Sequence, residues 1–380
     1  MQGRAGVPRG EEGDRLQGVQ AGVPHRGRHP RHARGRGEAA ADVTLAEKLA
    51  ARPPPRVLVV QTAFLGDTVF TSALFNALAK RFPDAAIDVC VAPRGSDVAL
   101  AFPGVNHVHV YDKRGADSGI GGLRRIARRL ATRQYPLAVL PHRSMRTALL
   151  ARLAGIPERI GFAGSPASLL YTVRIGSTET AFLRREADLA RALGASPGQM
   201  RLAARTEWLR SARAALGEAA GKPIAAICLG SEWATKIWPA RHVADLARRL
   251  AAAGLRPVLL GGPRERGLAR EIATAAQCVD TTGNSIGEAL AILSLSALAV
   301  GGDTGLVHAA RALGIPTVAV FGPTPSGVHA FGARERAVSL GLSCSPCSVH
   351  GSARCPLEHH RCLDDLHAAQ VALACQEVLA

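Results

Sequence analysis

From Arg56 onward, short runs rich in Val, Ile, Leu and Ala alternate with longer amphipathic stretches. Val57–Gln61, Ile87–Ala92, Val105–Tyr111 and Leu137–Leu140 are short and bounded by Gly, Pro or polar residues, so they predict strands, the apolar ones buried on both faces. Between them, Asp67–Phe82 repeats Phe70, Leu74, Ala77 and Leu78 along one helical face. Leu123–Arg133 predicts a strongly basic helix, Met145–Ala154 a helix closed by Gly155, and Phe182–Leu193 a further helix. Ala195–Arg205 reads as a linker. A second series then places strands at Ile224–Leu229, Pro257–Leu260, Cys278–Asp280, Leu298–Gly301 and Thr317–Phe321. Its helices are Glu207–Leu216, Arg241–Ala253, Glu265–Ala276, Ile286–Leu293 and Gly305–Leu313. Two successive strand–helix series predict an α/β protein with two Rossmann-like, doubly wound domains facing across a cleft, at 53–205 and 206–380. Residues 1–52 lack a sustained apolar period and predict a disordered basic extension, with a short helix near Leu45–Ala51.

Composition narrows the class. No apolar run among the 380 residues reaches the ~18–20 needed for a membrane span. The N-terminus has no apolar signal core, so the eight Cys are expected in a reducing compartment, the cytoplasm. The net charge is +17; eight Arg against four acids in residues 1–40 account for +4 and leave +13 on the body. A partner rich in phosphate or carboxylate follows, although an Arg-rich codon bias would produce the same charge. A basic nucleic-acid-binding protein is the alternative class. It is disfavoured because the chain has no RNP-type aromatics, finger spacing or helix-turn-helix pattern. There is no G-x-G-x-x-G. Gly217–Lys222 is one residue short of a P-loop, with Pro223 where Ser or Thr is required.

The chemistry-bearing residues sit where strands end. Gly301-Gly302-Asp303-Thr304-Gly305 leads from a strand into a helix, with Asp303 expected as N-cap, and His308 shares a face with Thr304. A helix start beyond a strand's carboxyl end suits a phosphate; a capped crossover helix with a surface His explains the spacing equally well. The first strand ends in Leu65-Gly66-Asp67-Thr68. Asp67 is expected at the helix start, where N–H bonds to its carboxylate favour the ionised form; it either caps the helix or takes a proton from a sugar hydroxyl. The loop after Ile224–Leu229 carries Ser231 and Lys236 between Trp233 and Trp238. Lys236 either neutralises a leaving pyrophosphate or is a solvated surface Lys. Glu265 either reaches a ribose diol or caps the helix it begins.

These loops together resemble glycosyltransferase family 9, the heptosyltransferases of lipopolysaccharide core assembly. The matching pieces are Leu65-Gly66-Asp67-Thr68, the Gly230-Ser231…Thr235-Lys236-x-Trp238-Pro239 loop, Gly302-Asp303-Thr304-Gly305-Leu306-x-His308, and Phe321-Gly322-Pro323-Thr324. His142-Arg143-Ser144 and Ala154–Phe162 are more similar to the second-heptose branch than to the first. The resemblance implies a GT-B fold and inverting transfer of heptose from ADP-heptose, with no metal and no cofactor. Asp67 would be the base. Lys236 would stabilise the leaving diphosphate, and Ser231, Glu265, Asp303, Thr304, Gly305 and His308 would hold the nucleotide sugar. Gly66, Arg143 and Arg146 would face an anionic lipid A–Kdo–heptose acceptor at the inner leaflet of the inner membrane. Another nucleotide sugar, or epimerase chemistry on a similar frame, is the enzymatic alternative. No nucleic-acid partner is implied, and no oligomeric state is read from the pattern. Cys344, Cys347, Cys355 and Cys362, in the Cys-rich segment 344–362, suit a structural metal, a disulfide or plain thiols.

Overall fold

In the first half, β1 (Arg56–Gln61), β2 (Ala86–Val91), β3 (His107–Val110), β4 (Leu137–Leu140), β5 (Glu158–Phe162) and β6 (Val173–Ile175) form one parallel sheet in the order β3-β2-β1-β4-β5-β6. In the second half, β7 (Ile224–Cys228), β8 (Arg256–Leu260), β9 (Val279–Asp280), β10 (Ser296–Gly302), β11 (Thr317–Val320) and β12 (Glu335–Val338) form another, in the order β12-β11-β10-β7-β8-β9. Both orders are the same doubly wound topology, with the winding reversing between β1 and β4 and again between β7 and β10. The computed structural model describes residues 44–380. Of the expected disordered extension 1–52, residues 1–43 lie outside the described residues, and Leu45–Ala51 forms the short helix expected there, with Leu49 buried.

The helices of the first lobe are α1 (Leu45–Ala51), α2 (Leu65–Arg81), α3 (Ser96–Leu100), α4 (Gly119–Ala131), α5 (Met145–Leu153) and α6 (Phe182–Ala192). The second lobe carries α7 (Thr206–Leu216), α8 (Ala240–Ala252), α9 (Arg266–Ala276), α10 (Ile286–Ser294), α11 (Gly305–Ala312), α12 (Arg361–Asp364) and α13 (Ala368–Leu379).

Strand β1 shows why this sequence makes a central strand. Val57, Leu58, Val59 and Val60 are all fully buried. Val57 and Val59 pack with Leu74, Phe75 and Leu78 of α2, while Leu58 and Val60 pack with Ile126 and Leu130 of α4 and Leu150 of α5. A run of β-branched and Leu residues with helices on both sides has no polar face to show. β7 repeats the arrangement: Ala226 and Cys228 belong to the inner cluster, Ala225 and Ile227 to the outer one under α8 and α13.

The inner cluster runs through both lobes without a break, joining Val59 and Leu78 to Leu290 and Val307. The connecting segment ties them further, because Leu202 N donates to Ala312 O and the next amide, Ala203 N, donates to Ala101 O, each at 2.9 Å. Strands β5, β6 and β12 are absent from the sequence reading. Each is short and lies at or next to a sheet edge, and Glu-Arg-Ile-Gly-Phe, Val-Arg-Ile and Glu-Arg-Ala-Val interleave charges with few apolar residues. Helix α13 is also absent from it, although Val371, Ala374, Cys375 and Val378 carry a legible helical stripe and are buried.

Candidate active site

The two winding reversals put four loops where ligands bind in doubly wound sheets, outside the carboxyl ends of the strands. Asp67 follows β1 and Arg143 follows β4. Ser231 and Lys236 follow β7, and Asp303 and Thr304 follow β10. The starts of α2 and α11 meet across the cleft. A Cβ on Gly66 would stand 3.9 Å from Gly305 Cα, and one on Gly305 would stand 2.7 Å from Leu65 Cδ2. One turn further along α2, the Phe70 ring lies 4.7 Å from that of His308 and 5.5 Å from that of His329.

Asp67 is not the N-cap. Helix α2 begins two residues earlier, with Phe64 as N-cap, and Asp67 takes the third helical position with its Oδ2 accepting from Phe64 N at 3.1 Å. The Phe64 N–H bond favours the ionised form as expected, but it is not the largest influence. Burial raises the Asp67 pKa, outweighing the Phe64 N–H and the nearby charges of His350 and Arg185. A half-buried carboxylate of raised basicity beside a helix start is better suited to taking a proton than a solvated one.

Asp303 is not a cap either; Thr304 caps α11, with its hydroxyl accepting from Val307 N at 3.5 Å. Asp303 Oδ2 instead meets Lys236 Nζ at 2.6 Å and accepts from Thr324 Oγ1 at 2.8 Å, while Oδ1 lies 3.0 Å from His308 Nε2. Burial pushes the Asp303 pKa up, but the His308 hydrogen bond and the Lys236 charge pull it well below the ordinary carboxylate range. Lys236 is therefore no solvated surface residue.

His308, expected to offer its imidazole at the helix start, is buried with both nitrogens engaged. Arg311 Nη1 lies 3.3 Å from Nδ1 and can only donate, so Nδ1 accepts and Nε2 carries the proton given to Asp303. Burial lowers the His308 pKa, in keeping with that neutral tautomer. Arg311 is anchored in turn by Glu335 of β12 at 2.9 Å. The chain Glu335–Arg311–His308–Asp303 thus orients the carboxylate that holds Lys236. Asp303, His308 and His329 form the one metal-compatible trio among the described residues, with ligand atoms within 4.8 Å of one another. Both histidines face Oδ1 of Asp303, and the ammonium of Lys236 neutralises the same carboxylate from Oδ2.

Ser231 Oγ accepts from Trp233 N at 3.3 Å. Glu265 Oε2 accepts from Gly262 N at 2.8 Å, the capping alternative, and its side chain covers Gly230, where a Cβ would stand 2.4 Å from it. Gly230 has φ +74°, so both conformation and space there favour glycine. A recess of about 350 Å³, counted out to the solvent at its mouth, is lined by Gly230, Lys236, Ile237, Trp238, Gly301 and Gly302.

On the first lobe the two expected arginines separate. Arg146 lies over the Tyr111 ring, donates from Nε to its hydroxyl, and donates from Nη2 to Gly119 O at 3.0 Å, so it ties loop 111–119 to α5. Its Nε and Nη2 are thus taken up within the lobe. Arg143 donates no hydrogen bond within the described residues and lies over Phe162 at 4.9 Å. Sequence reasoning missed Lys113, whose Nζ donates to Thr62 O at 2.7 Å, and Arg185, Glu186, His329 and His350. Nothing in local spacing marks them, since separate elements bring them to the cleft. His350 arrives with the Cys-rich segment, whose Ser352 O accepts from Thr235 Oγ1 at 2.8 Å beside Lys236.

Two Rossmann-like lobes presenting a basic carboxylate on one side and a seated ammonium with a helix start on the other define a glycosyltransferase of the GT-B type. The profile described as "Glycosyltransferase family 9 (heptosyltransferase)" matches residues 123–357, and the chain belongs to that family. It is 28% identical to lipopolysaccharide heptosyltransferase 2 of Escherichia coli K12, over 71% of this chain and 83% of that protein. The solved structure of E. coli ADP-heptose lps heptosyltransferase II superposes with a TM-score of 0.71 at 24% identity, covering 85% of this chain and 98% of that one. E. coli heptosyltransferase WaaC with ADP-2-deoxy-2-fluoro heptose superposes with a TM-score of 0.65 at 24% identity, covering 85% and 99%.

Proposed function

We propose that this chain transfers heptose from ADP-heptose to the inner core of lipopolysaccharide, with inversion and without a metal. The observation that carries the reading is the opposition of Asp67 to the Lys236–Asp303 pair at the two winding reversals. Asp67 takes the proton of the acceptor hydroxyl as that oxygen bonds to the anomeric carbon, on the face opposite ADP. The bond from that carbon to the diphosphate oxygen breaks, and its electrons leave with ADP. Lys236 and the free N–H groups at the start of α11 stabilise the charge that develops there. Asp303 and His308 act behind Lys236, fixing its position rather than touching the phosphates.

Ser231 and the start of α11 at Thr304 and Gly305 face the nucleotide, while the missing side chains of Gly230 and Gly305 make room for Glu265 and Leu65. Glu265 serves the nucleotide side by holding the loop against Gly230. The acceptor lies on the first lobe, and the reaction takes place on the cytoplasmic face of the inner membrane. No helix of the described residues is long and apolar enough to cross a membrane. The test is transfer by purified protein from ADP-heptose to a lipid A–Kdo–heptose acceptor, with ADP release and product mass measured together. Turnover with that pair, and none with UDP-sugars, supports the reading; ADP-heptose left intact overturns it.

A further inference from the structure

Between β12 and α12, residues 339–360 form no helix or strand, and none of them is fully buried. Irregular connections longer than about 12–15 residues are uncommon inside a compact lobe. This one has little apolar surface to order it, since Val349 and Leu357 are exposed and burial resumes only at Cys362 and Leu363. What the segment does carry is Cys344, Cys347 and Cys355, with Cys362 just beyond its end. The remaining Cys are scattered through β2, β7, the approach to β9 and α13.

The fold gathers these four. Ser345, between Cys344 and Cys347, donates its hydroxyl to Gly322 O, and Cys347 N donates to Pro323 O at 3.0 Å. A Cβ on Gly322 would stand 3.0 Å from Cys362 Sγ, so Cys344, Cys347 and Cys362 all flank the Gly322-Pro323 turn. Cys355 opens a tight bend, with Glu358 N donating to Cys355 O at 3.1 Å and with Glu358 and His360 at φ +57° and +50°. That bend turns the N–H groups of His360, Leu357, His359 and Glu358 toward the Cys355 sulfur, where they favour the thiolate. Beyond the effect of its own burial, the Cys362 thiol is acted on by Cys347, Cys355 and Cys344. None of the four is in a disulfide.

We propose that Cys344, Cys347, Cys355 and Cys362 form a closed tetrathiolate site for one structural zinc or iron ion. Four sulfurs with a Cys-x₂-Cys pair among them are the donor set of such sites. No three of the sulfurs stand within 4.8 Å of one another, so the side chains turn inward on the ion, and each thiol releases its proton to solvent as its bond to the metal forms. The ion takes no part in transfer; it fastens the segment that backs the Lys236 loop. Ser352 O accepts from Thr235 Oγ1 at 2.8 Å, and His360 Nε2 lies 2.8 Å from Thr235 O. Gly351 packs so closely that a Cβ there would stand 2.8 Å from Lys236 Cδ.

Elemental analysis of the full chain, purified without chelators, gives about one zinc or iron per chain and identifies the ion. Cys347→Ser and Cys355→Ser lose it, while Cys278→Ser, outside the segment, keeps it. Should the first two variants fail to fold, stepwise titration of wild-type thiols with a mercurial reads the same site, freeing the ion to a chromogenic chelator as the cluster is consumed. Stripping the ion weakens ADP binding about tenfold by calorimetry, and added Zn²⁺ restores it. Metal content and ADP binding are read without turnover, so the site stands or falls apart from the proposed transfer. A wild-type chain that neither carries metal nor takes up added Zn²⁺ overturns the site. So does metal retained in both Ser variants, or a disulfide joining these Cys in the unreduced protein. Unchanged ADP affinity after stripping overturns its hold on the Lys236 loop.

Discussion

Lys236→Met tests the ion pair at the centre of the second lobe. The ammonium lies 2.6 Å from Asp303 Oδ2, with the two side chains only 12% and 11% exposed. Removing one partner of a buried pair costs about 3–5 kcal/mol, because the other charge is left in a poor solvent. Asp303 keeps the Thr324 hydroxyl at 2.8 Å and the His308 N–H at 3.0 Å, which argues for the lower end, about 3 kcal/mol. With an unfolding entropy of roughly 0.7 kcal/mol/K for a chain of this size, Tm falls by about 4 °C. Adding Asp303→Asn removes the stranded charge, so the double variant recovers about 1–3 kcal/mol relative to the sum of the singles. Transfer behaves differently. Loss of a cation aimed at a developing oxyanion lowers kcat by about 10²–10³, and Asp303→Asn does not restore it. Urea unfolding followed by tryptophan fluorescence, beside ADP titration and turnover, separates the two effects. Additive stability losses, or turnover within threefold of wild type in Lys236→Met, refute the reasoning.

Asp67→Asn keeps shape and hydrogen bonding but removes the base, so kcat falls by about 10²–10⁴ while ADP affinity, measured by calorimetry, is unchanged. In wild type, burial raises the Asp67 pKa. The base must be ionised, so kcat rises with pH through a midpoint above the usual aspartate range and then levels; a midpoint at or below that range contradicts the burial argument. Glu186 has a folded pKa of about 8 against an unfolded value near 4.3. The native state therefore binds the extra proton between those values, and stability falls as pH rises through that window, by at most about 1.4 kcal/mol per pH unit. Glu186→Gln, an isostere of the protonated acid, flattens that slope in pH-dependent unfolding. Gly305→Ala puts a methyl 2.7 Å from Leu65 Cδ2; overpacking costs about 1–2 kcal/mol and holds the two helix starts apart. Transfer drops, and Leu65→Ala in the same chain restores it.

Much of this protein was legible in one dimension. The runs at 57–61 and 224–229 are apolar on both faces because helices cover both sides, and that pattern survives any tertiary detail. Gly-Asp-Thr-Gly and Leu-Gly-Asp-Thr directly after strands identified the polar loops, since a chain leaving a parallel strand for a helix must turn at the sheet's carboxyl edge. Local order could not say which way each side chain would point. Asp303 and Asp67 both look like caps in sequence, yet one became the counter-ion of Lys236 and the other a third-position acceptor, because α2 began two residues earlier than expected and Thr304, the residue next to Gly305, took the cap of α11. Arg143 and Arg146 look equivalent, and only packing separated them: Tyr111 and the 111–119 loop took up one, and Phe162 left the other's donors free. Arg185, Glu186 and His350 are far from Asp67 along the chain, with no spacing that links them. They meet it because α6 packs on α2 and the Cys-rich segment folds back onto the Lys236 loop. Sequence periodicity reports burial of an element against its neighbours. Which charges share a low-dielectric cleft depends on distances between elements, and those exist only once both lobes have closed around their common core.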